Sequence, residues 1–228
     1  MTERYEGSFF GRRKGKALSP TRIQRVENAM PELGLDLSVS TPESALNLFD
    51  APVSSVCLEV GFGAGGHLLH RARENPDIGY IGVEPFVGSM AKVVTTVLAE
   101  GLTNIRLYDD DAIKVLDWLP EGSIDLAYQL YPDPWPKKRH WKRRFINEKN
   151  LDRYARVLKS GCEFRFASDI DTYVDWTLKR CRKHENFEWT AETASDWTQP
   201  WKNWPGTRYE AKAVRENRVP RYLTFLRV

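Results

Sequence analysis

Apolar residues along this chain switch repeatedly between two spacings. Short, nearly continuous apolar runs bounded by turn residues alternate with longer segments whose apolar positions recur every three or four residues. The first pattern marks a strand covered on both faces, the second an amphipathic helix. "VCLEVG" (56–61), "IGYIGVE" (78–84), "NIRLY" (104–108), "SIDLAYQLY" (123–131) and "CEFRFAS" (162–168) read as strands. Between them, a helix over 65–76 stops before Pro76. A second over 85–101 aligns Phe86, Met90, Val93, Val94 and Val97 on one face, with Gly101 as its stop. Further helices are predicted over 112–119, 147–161 and 169–184, the last aligning Ile170, Tyr173, Val174, Thr177 and Cys181. The end, "RVPRYLTFLRV", alternates and predicts a terminal strand or hairpin partner. Residues 1–22 are basic and show no period, which predicts a mobile arm. Residues 23–52 hold weak apolar segments and the turn signals Pro31, Gly34, Pro42 and Pro52, which predict a loop and one helix over 42–49.

This alternation gives an α/β fold: a mostly parallel twisted sheet with helices on both faces, in a single domain over 23–228. Ligands in such sheets bind beyond the carboxyl ends of the strands, where the strand order reverses. The unusual residues of this chain fall at those ends.

After the first strand, "LEVGFGAGG" satisfies G-x-G-x-x-G through Gly61, Gly63 and Gly66. Such a turn lets a nucleoside-bearing cofactor approach the backbone closely. Glu84 closes the second strand, where an acid accepts bonds from ribose hydroxyls. The glycine motif alone does not choose among cofactors. Glu59 is a carboxylate inside a strand otherwise apolar, and it tolerates a cationic ligand better than a pyrophosphate. S-adenosylmethionine, with a sulfonium and an ammonium group, fits that sign. Asp109-Asp110-Asp111 ends the third strand; one of these acids meets an adenine amino group, or Asp111 simply caps the following helix. No Y-x-x-x-K pair of a short-chain hydride-transfer enzyme is present.

The fourth strand ends in "YPDPW". Pro132 and Pro134 fix φ on either side of Asp133 and remove two donors. A held carboxylate followed by the flat ring of Trp135 suits a heterocycle that offers N–H groups and a face. "KKRHWKRR" (137–144) follows. A charge run is ordinarily a solvated face, but Trp141 within it matches the mixture that grips RNA phosphates and bases. Asp169 opens the last long helix and reads equally as its cap. "TRYE" (207–210) lies in a Trp- and Pro-rich loop that reads as a contact surface or as packing.

Net charge changes the picture little. Lys and Arg total 34 against 31 acids, a formal charge of +3, so basic character is local. Cys57, Cys162 and Cys181 are odd in number and show no C-x-x-C, which argues against a disulfide scaffold or a zinc site. No apolar run reaches the roughly 18 residues of a membrane helix, and the basic N-terminal residues hold no apolar h-region, which predicts the absence of a secretory signal. These features predict a cytoplasmic protein without metal or membrane, and without an obligate protein partner, as a monomer or homodimer.

Together "LEVGFGAGG", "GVE", "DDDA", "PDPWPKKRHWKRR", "ASD" and "GTRYE", in this order, resemble the bacterial tRNA (guanine-N7-)-methyltransferase family. The resemblance implies a Rossmann-like class I methyltransferase fold with an antiparallel C-terminal strand. It implies methyl transfer from S-adenosylmethionine to N7 of a guanine in the tRNA variable loop. By the same resemblance Glu59, Gly61, Gly63, Glu84, Asp111 and Asp133 line the cofactor site, with Asp133 also catalytic. Lys137, Asp169, Thr207, Arg208, Tyr209 and Glu210 meet the substrate, and Arg139, His140, Trp141, Lys142, Arg143 and Arg144 track RNA. Two rivals stand beside this reading: an NAD(P)-dependent oxidoreductase and a non-catalytic RNA-binding module.

Overall fold

The computed structural model describes residues 10–228. Seven strands form one sheet: β1 (Ser55–Val60), β2 (Ile78–Val83), β3 (Ile105–Tyr108), β4 (Ile124–Leu130), β5 (Leu158–Ser168), β6 (Phe187–Trp189) and β7 (Arg221–Arg227). Their order is β3-β2-β1-β4-β5-β7-β6. The first five are parallel, and β7 runs antiparallel to both its neighbours. The chain steps outward from β1 to β3, then returns to the other side of β1 with β4. The order therefore reverses between β1 and β4, where a crevice opens at their carboxyl ends.

Strand parity assigns each face its helices. Val56, Leu58 and Val60 of β1 join one core with α4 (Ala112–Trp118), α5 (Glu148–Val157) and α6 (Asp171–Lys183). Cys57, between them, joins the other core with α1 (Pro20–Leu33), α2 (Gly66–Glu74) and α3 (Val87–Glu100). Burying a side chain such as Leu58 or Ile81 stabilises by about 1.5–3 kcal/mol. The aligned apolar faces behave as expected: Met90, Val93, Val94 and Val97 of α3, and Tyr173, Val174, Thr177 and Cys181 of α6, are buried. Gly101 ends α3 in a left-handed cap. All three cysteines are free thiols.

Several elements depart from expectation. Residues 20–33 form α1 rather than arm and loop. Its apolar side is thin, with only Ala29 and Leu33 buried and Pro31 inside, so it has little period to read. It is held by packing on α3, and past it Leu35 N–H bonds Leu107 O at 2.9 Å. The helix expected over 42–49 is a single 3₁₀ turn, Ala45–Leu48, capped by Ser44. Helix α5 stops at Val157, and β5 begins immediately, with a register shift against β4. Strand β6 falls in a stretch given no element, and two helices, α7 (Ser195–Thr198) and α8 (Arg208–Arg215), overlap the Trp- and Pro-rich segment expected to be a loop. Residues 1–9 of the expected arm lie outside the described residues.

Candidate active site

A cavity of about 480 Å³ opens at the switch point. The turn after β1 builds its floor. Gly61 and Gly63 have φ of +78° and +54°, conformations that disfavour a side chain. A Cβ on Gly61 would meet nothing within 4 Å, so it would project into open space that the bare glycine leaves for a ligand. Glu84, at the end of β2, holds this turn in shape: one carboxylate oxygen accepts Gly63 N–H at 2.7 Å, the other Phe86 N–H at 2.9 Å. Burial raises the Glu84 pKa, and those two bonds oppose the rise. Each oxygen keeps a free lone pair for a hydroxyl.

Of the aspartate triplet, Asp111 alone lines the cavity. It also caps α4, accepting Ile113 N–H at 3.0 Å, so the cap and site readings hold together. Asp110 instead pairs with Arg13 and Lys114, each at 2.5 Å, and Asp109 is exposed.

The opposite wall is the turn after β4. Tyr131 and Trp135, on either side of Pro132-Asp133-Pro134, both take left-handed backbone (φ +48° and +45°). For bulky side chains this costs on the order of 1–3 kcal/mol each and must be held by neighbours. Tyr131 N–H bonds Ala167 O at 2.8 Å, and the Pro134 carbonyl accepts from Arg144 Nε at 2.9 Å. The Asp133 carboxylate faces the cavity. It is open to the solvent inside, yet enclosed enough by the walls that burial raises its pKa. Among the described residues no hydrogen bond ties it down.

Two distant segments complete the walls. Arg208 and Tyr209 reach in from α8, Tyr209 stacking on Tyr131 at 6.4 Å. Residues 10–13 cross the open side as a strap: Phe10 meets the Trp135 ring edge-on at 6.5 Å, and Arg12 lies over Phe86. Nothing in the periodicity of 1–22 signals this placement, nor that of Gln129, Asn147 and Asn150 in the wall.

The basic strip forms a 3₁₀ helix, Lys138–Arg143. Its three-residue period sorts the side chains. Arg139 and Lys142 point to solvent, with Lys137 and Lys138 exposed beside them. His140 and Arg143 turn onto Trp135, at 6.0 and 4.9 Å. Trp141 and Arg144 turn inward, Trp141 packing edge-on to Trp176 at 5.7 Å. Arg144 is 1% exposed. The placement of Trp141 and Arg144 therefore departs from the expected RNA contact: their polar atoms face protein.

Five further residues, Glu59, Lys137, Asp169, Thr207 and Glu210, do not line this cavity. Glu59 is buried and hydrogen-bonded to His67 Nδ1 at 2.7 Å. The His67 ring lies against Tyr128 and Trp204. Asp169 does not cap α6, whose cap position is Ile170; it pairs with Arg218 Nε at 2.6 Å beside a separate groove. Glu210 turns away from the cavity and accepts from Trp204 Nε1 at 2.5 Å and Tyr222 OH at 2.7 Å, while Thr207 caps α8. Lys137 stands outside the cavity wall. Among the described residues no three His, Cys, Asp or Glu side chains converge to hold a metal, and no helix is long and apolar enough to cross a membrane.

Comparison with known proteins bears on this site. A family model described as "Putative methyltransferase" matches residues 53–221. A tRNA (guanine-N(7)-)-methyltransferase of Agrobacterium fabrum is 61% identical over 96% of this chain and 95% of its own. Another, from a Chelativorans species, is 57% identical over 99% of this chain and 97% of its own. Among solved structures, the 16S rRNA methyltransferase KamB superposes with a TM-score of 0.57 at 15% identity, over 83% of this chain and 96% of its own. TrmN from Thermus thermophilus gives 0.54 at 16% identity, over 80% and 47%. At those identities the structures speak for the fold, that of class I methyltransferases.

Proposed function

This chain belongs to the tRNA (guanine-N(7)-)-methyltransferase family, and from that membership we propose that its cavity carries a methyl group from S-adenosylmethionine to N7 of a guanine in the tRNA variable loop. Methyl transfer to tRNA guanine N7 is the activity of the family to which the chain belongs. The donor and the loop are the finer part of the reading. One observation carries it: Asp133 shares a single cavity with Gly61, Gly63, Glu84 and Asp111.

Guanine N7 has a free lone pair and no proton, so the reaction needs no general base. What it needs is alignment, and compensation for positive charge that develops on the purine. S-adenosylmethionine, when bound, supplies an electrophilic methyl group on sulfonium. The space beyond Gly61 admits a ligand close to the backbone, Glu84 offers its remaining lone pairs to ribose hydroxyls, and Asp111 stands on the side of an adenine. Asp133, unpaired and facing the same space, offsets charge on the purine and accepts its N–H groups. Trp135 offers a flat wall, at present covered by Phe10 and Arg143.

N7 lies in the deep, narrow groove of A-form RNA, out of reach of side chains. The guanine must leave its stack, at a cost of a few kcal/mol. Arg139, Lys142, Lys137 and Lys138 form a solvent-facing cationic edge beside the cavity mouth whose phosphate contacts offset that cost.

The test is methylation of unmodified tRNA with S-adenosylmethionine, followed by nuclease digestion and mass spectrometry. The expected product is 7-methylguanosine in a variable-loop fragment. Product elsewhere in the tRNA overturns the loop assignment; tRNA bound without product makes the chain a binding module. Calorimetric binding of NADH in place of S-adenosylhomocysteine overturns the donor.

A further inference from the structure

The side chain of Arg144 is among the most buried in the protein, yet among the described residues no carboxylate pairs with it. Its guanidinium lies 4.5 Å from the Trp141 ring centre, 4.7 Å from Tyr173 and 5.2 Å from Trp176. Its donors go to neutral oxygens: Nε to Pro134 O at 2.9 Å, Nη1 to Thr172 O at 2.7 Å, and Nη2 to Thr172 Oγ1 at 3.1 Å. Burial lowers its pKa. An unpaired buried cation is costly, and an apolar side chain of similar volume would ordinarily fill such a space more stably. Three aromatic faces recover part of that cost through cation–π attraction.

The geometry explains what the cation does there. Pro134 O belongs to the peptide that joins Pro134 to Trp135. That peptide leads into the left-handed Trp135, and only Pro134 separates it from Asp133. Neither proline can donate, so apart from Asp133 N–H the backbone of this turn can be held only through its carbonyls. The fork of Arg144 takes one of them and fixes it to Thr172, at the first turn of α6, whose Tyr173 is fully buried in the core. The strained turn is thereby referenced to the rigid body of the sheet.

We propose that Arg144 is a positioning residue for methyl transfer: it locks the Pro132-Asp133-Pro134 turn to α6 and so fixes the Asp133 carboxylate against the purine. The proposal rests on the catalytic reading of Asp133. A lysine keeps the charge but has no planar fork to span both carbonyls.

The experiment compares Arg144→Lys, Thr172→Val and Asp133→Ala by single-turnover methylation, by tRNA affinity across salt, and by S-adenosylhomocysteine affinity. Arg144→Lys is expected to slow methyl transfer at saturating tRNA at least about tenfold, with both affinities within about twofold and an unchanged salt slope. Thr172→Val, which removes one acceptor at constant volume, is expected to slow it by a few fold with the same pattern. If Arg144→Lys does not fold, Thr172→Val alone decides. An unchanged rate in the folded variants, with Asp133→Ala inactive, overturns the positioning role and spares Asp133. Full turnover by Asp133→Ala overturns the catalytic reading itself. A weaker tRNA complex with a salt slope reduced by about one would return Arg144 to phosphate contact.

Discussion

Asp133 carries its charge only above a pKa that burial has raised. Turnover that depends on the carboxylate therefore falls as pH drops through that raised value, above the roughly 3.9 of a free aspartate. Asp133→Asn should remove most of the turnover and this acid limb with it, while tRNA affinity stays within a few fold; rate against pH and filter binding check both. The same shift sets a sign for stability. A carboxyl whose folded pKa exceeds its unfolded one favours the fold when protonated, and that contribution is lost as pH rises above the unfolded value. Near neutral pH the asparagine variant should therefore melt no lower than the native chain, and a lowered melting temperature would contradict the desolvated site. Glu84 differs because both its oxygens hold the glycine turn. In Glu84→Gln an amide N–H must face Gly63 N–H or Phe86 N–H, which disorders the cofactor floor. Affinity for S-adenosylhomocysteine should fall about tenfold or more by calorimetry; an unaltered value would undo the ribose assignment.

A single element, the 3₁₀ helix Lys138–Arg143, separates roles that the run "KKRHWKRR" blends. With period three, neighbouring basic residues face solvent, the Trp135 ring and the interior in turn. Arg139 and Lys142 belong to the first group, so replacing both by Ala should weaken tRNA binding and reduce the salt slope by about two, each phosphate contributing about 0.9. Helix α8 makes a similar point. "TRYE" is a helix start, with Thr207 as cap, Arg208 and Tyr209 toward the cavity and Glu210 inward. Thr207→Ala should cost about 1 kcal/mol of stability, measurable by denaturant unfolding. The cap consensus T-x-x-E was present in the sequence, but the surrounding Trp and Pro residues masked it.

Across the whole molecule, the cavity is assembled from segments far apart in the chain: the strap at 10–13, the ends of β1 to β4, the basic strip and α8. Phe10→Ala should uncover Trp135 and speed cofactor release by a few fold in stopped-flow fluorescence, without changing the fold. The sequence alone determined the alternation of strands and helices and the strand ends at which Glu84, the aspartate triplet and Asp133 fall, because backbone period and strand ends are local properties; which aspartate of the triplet enters the cavity it left open. It could not determine which way Glu59, Trp141, Arg144, Asp169 and Glu210 face. Each carries a group that serves equally as ligand contact or as buried partner, and the choice turns on what lies across the space from it: His67, Trp176, Thr172, Arg218 and Trp204. Those neighbours are brought close only when the sheet closes and the segment after β6 folds back over it, since a polar group is settled by its partner and not by its own type.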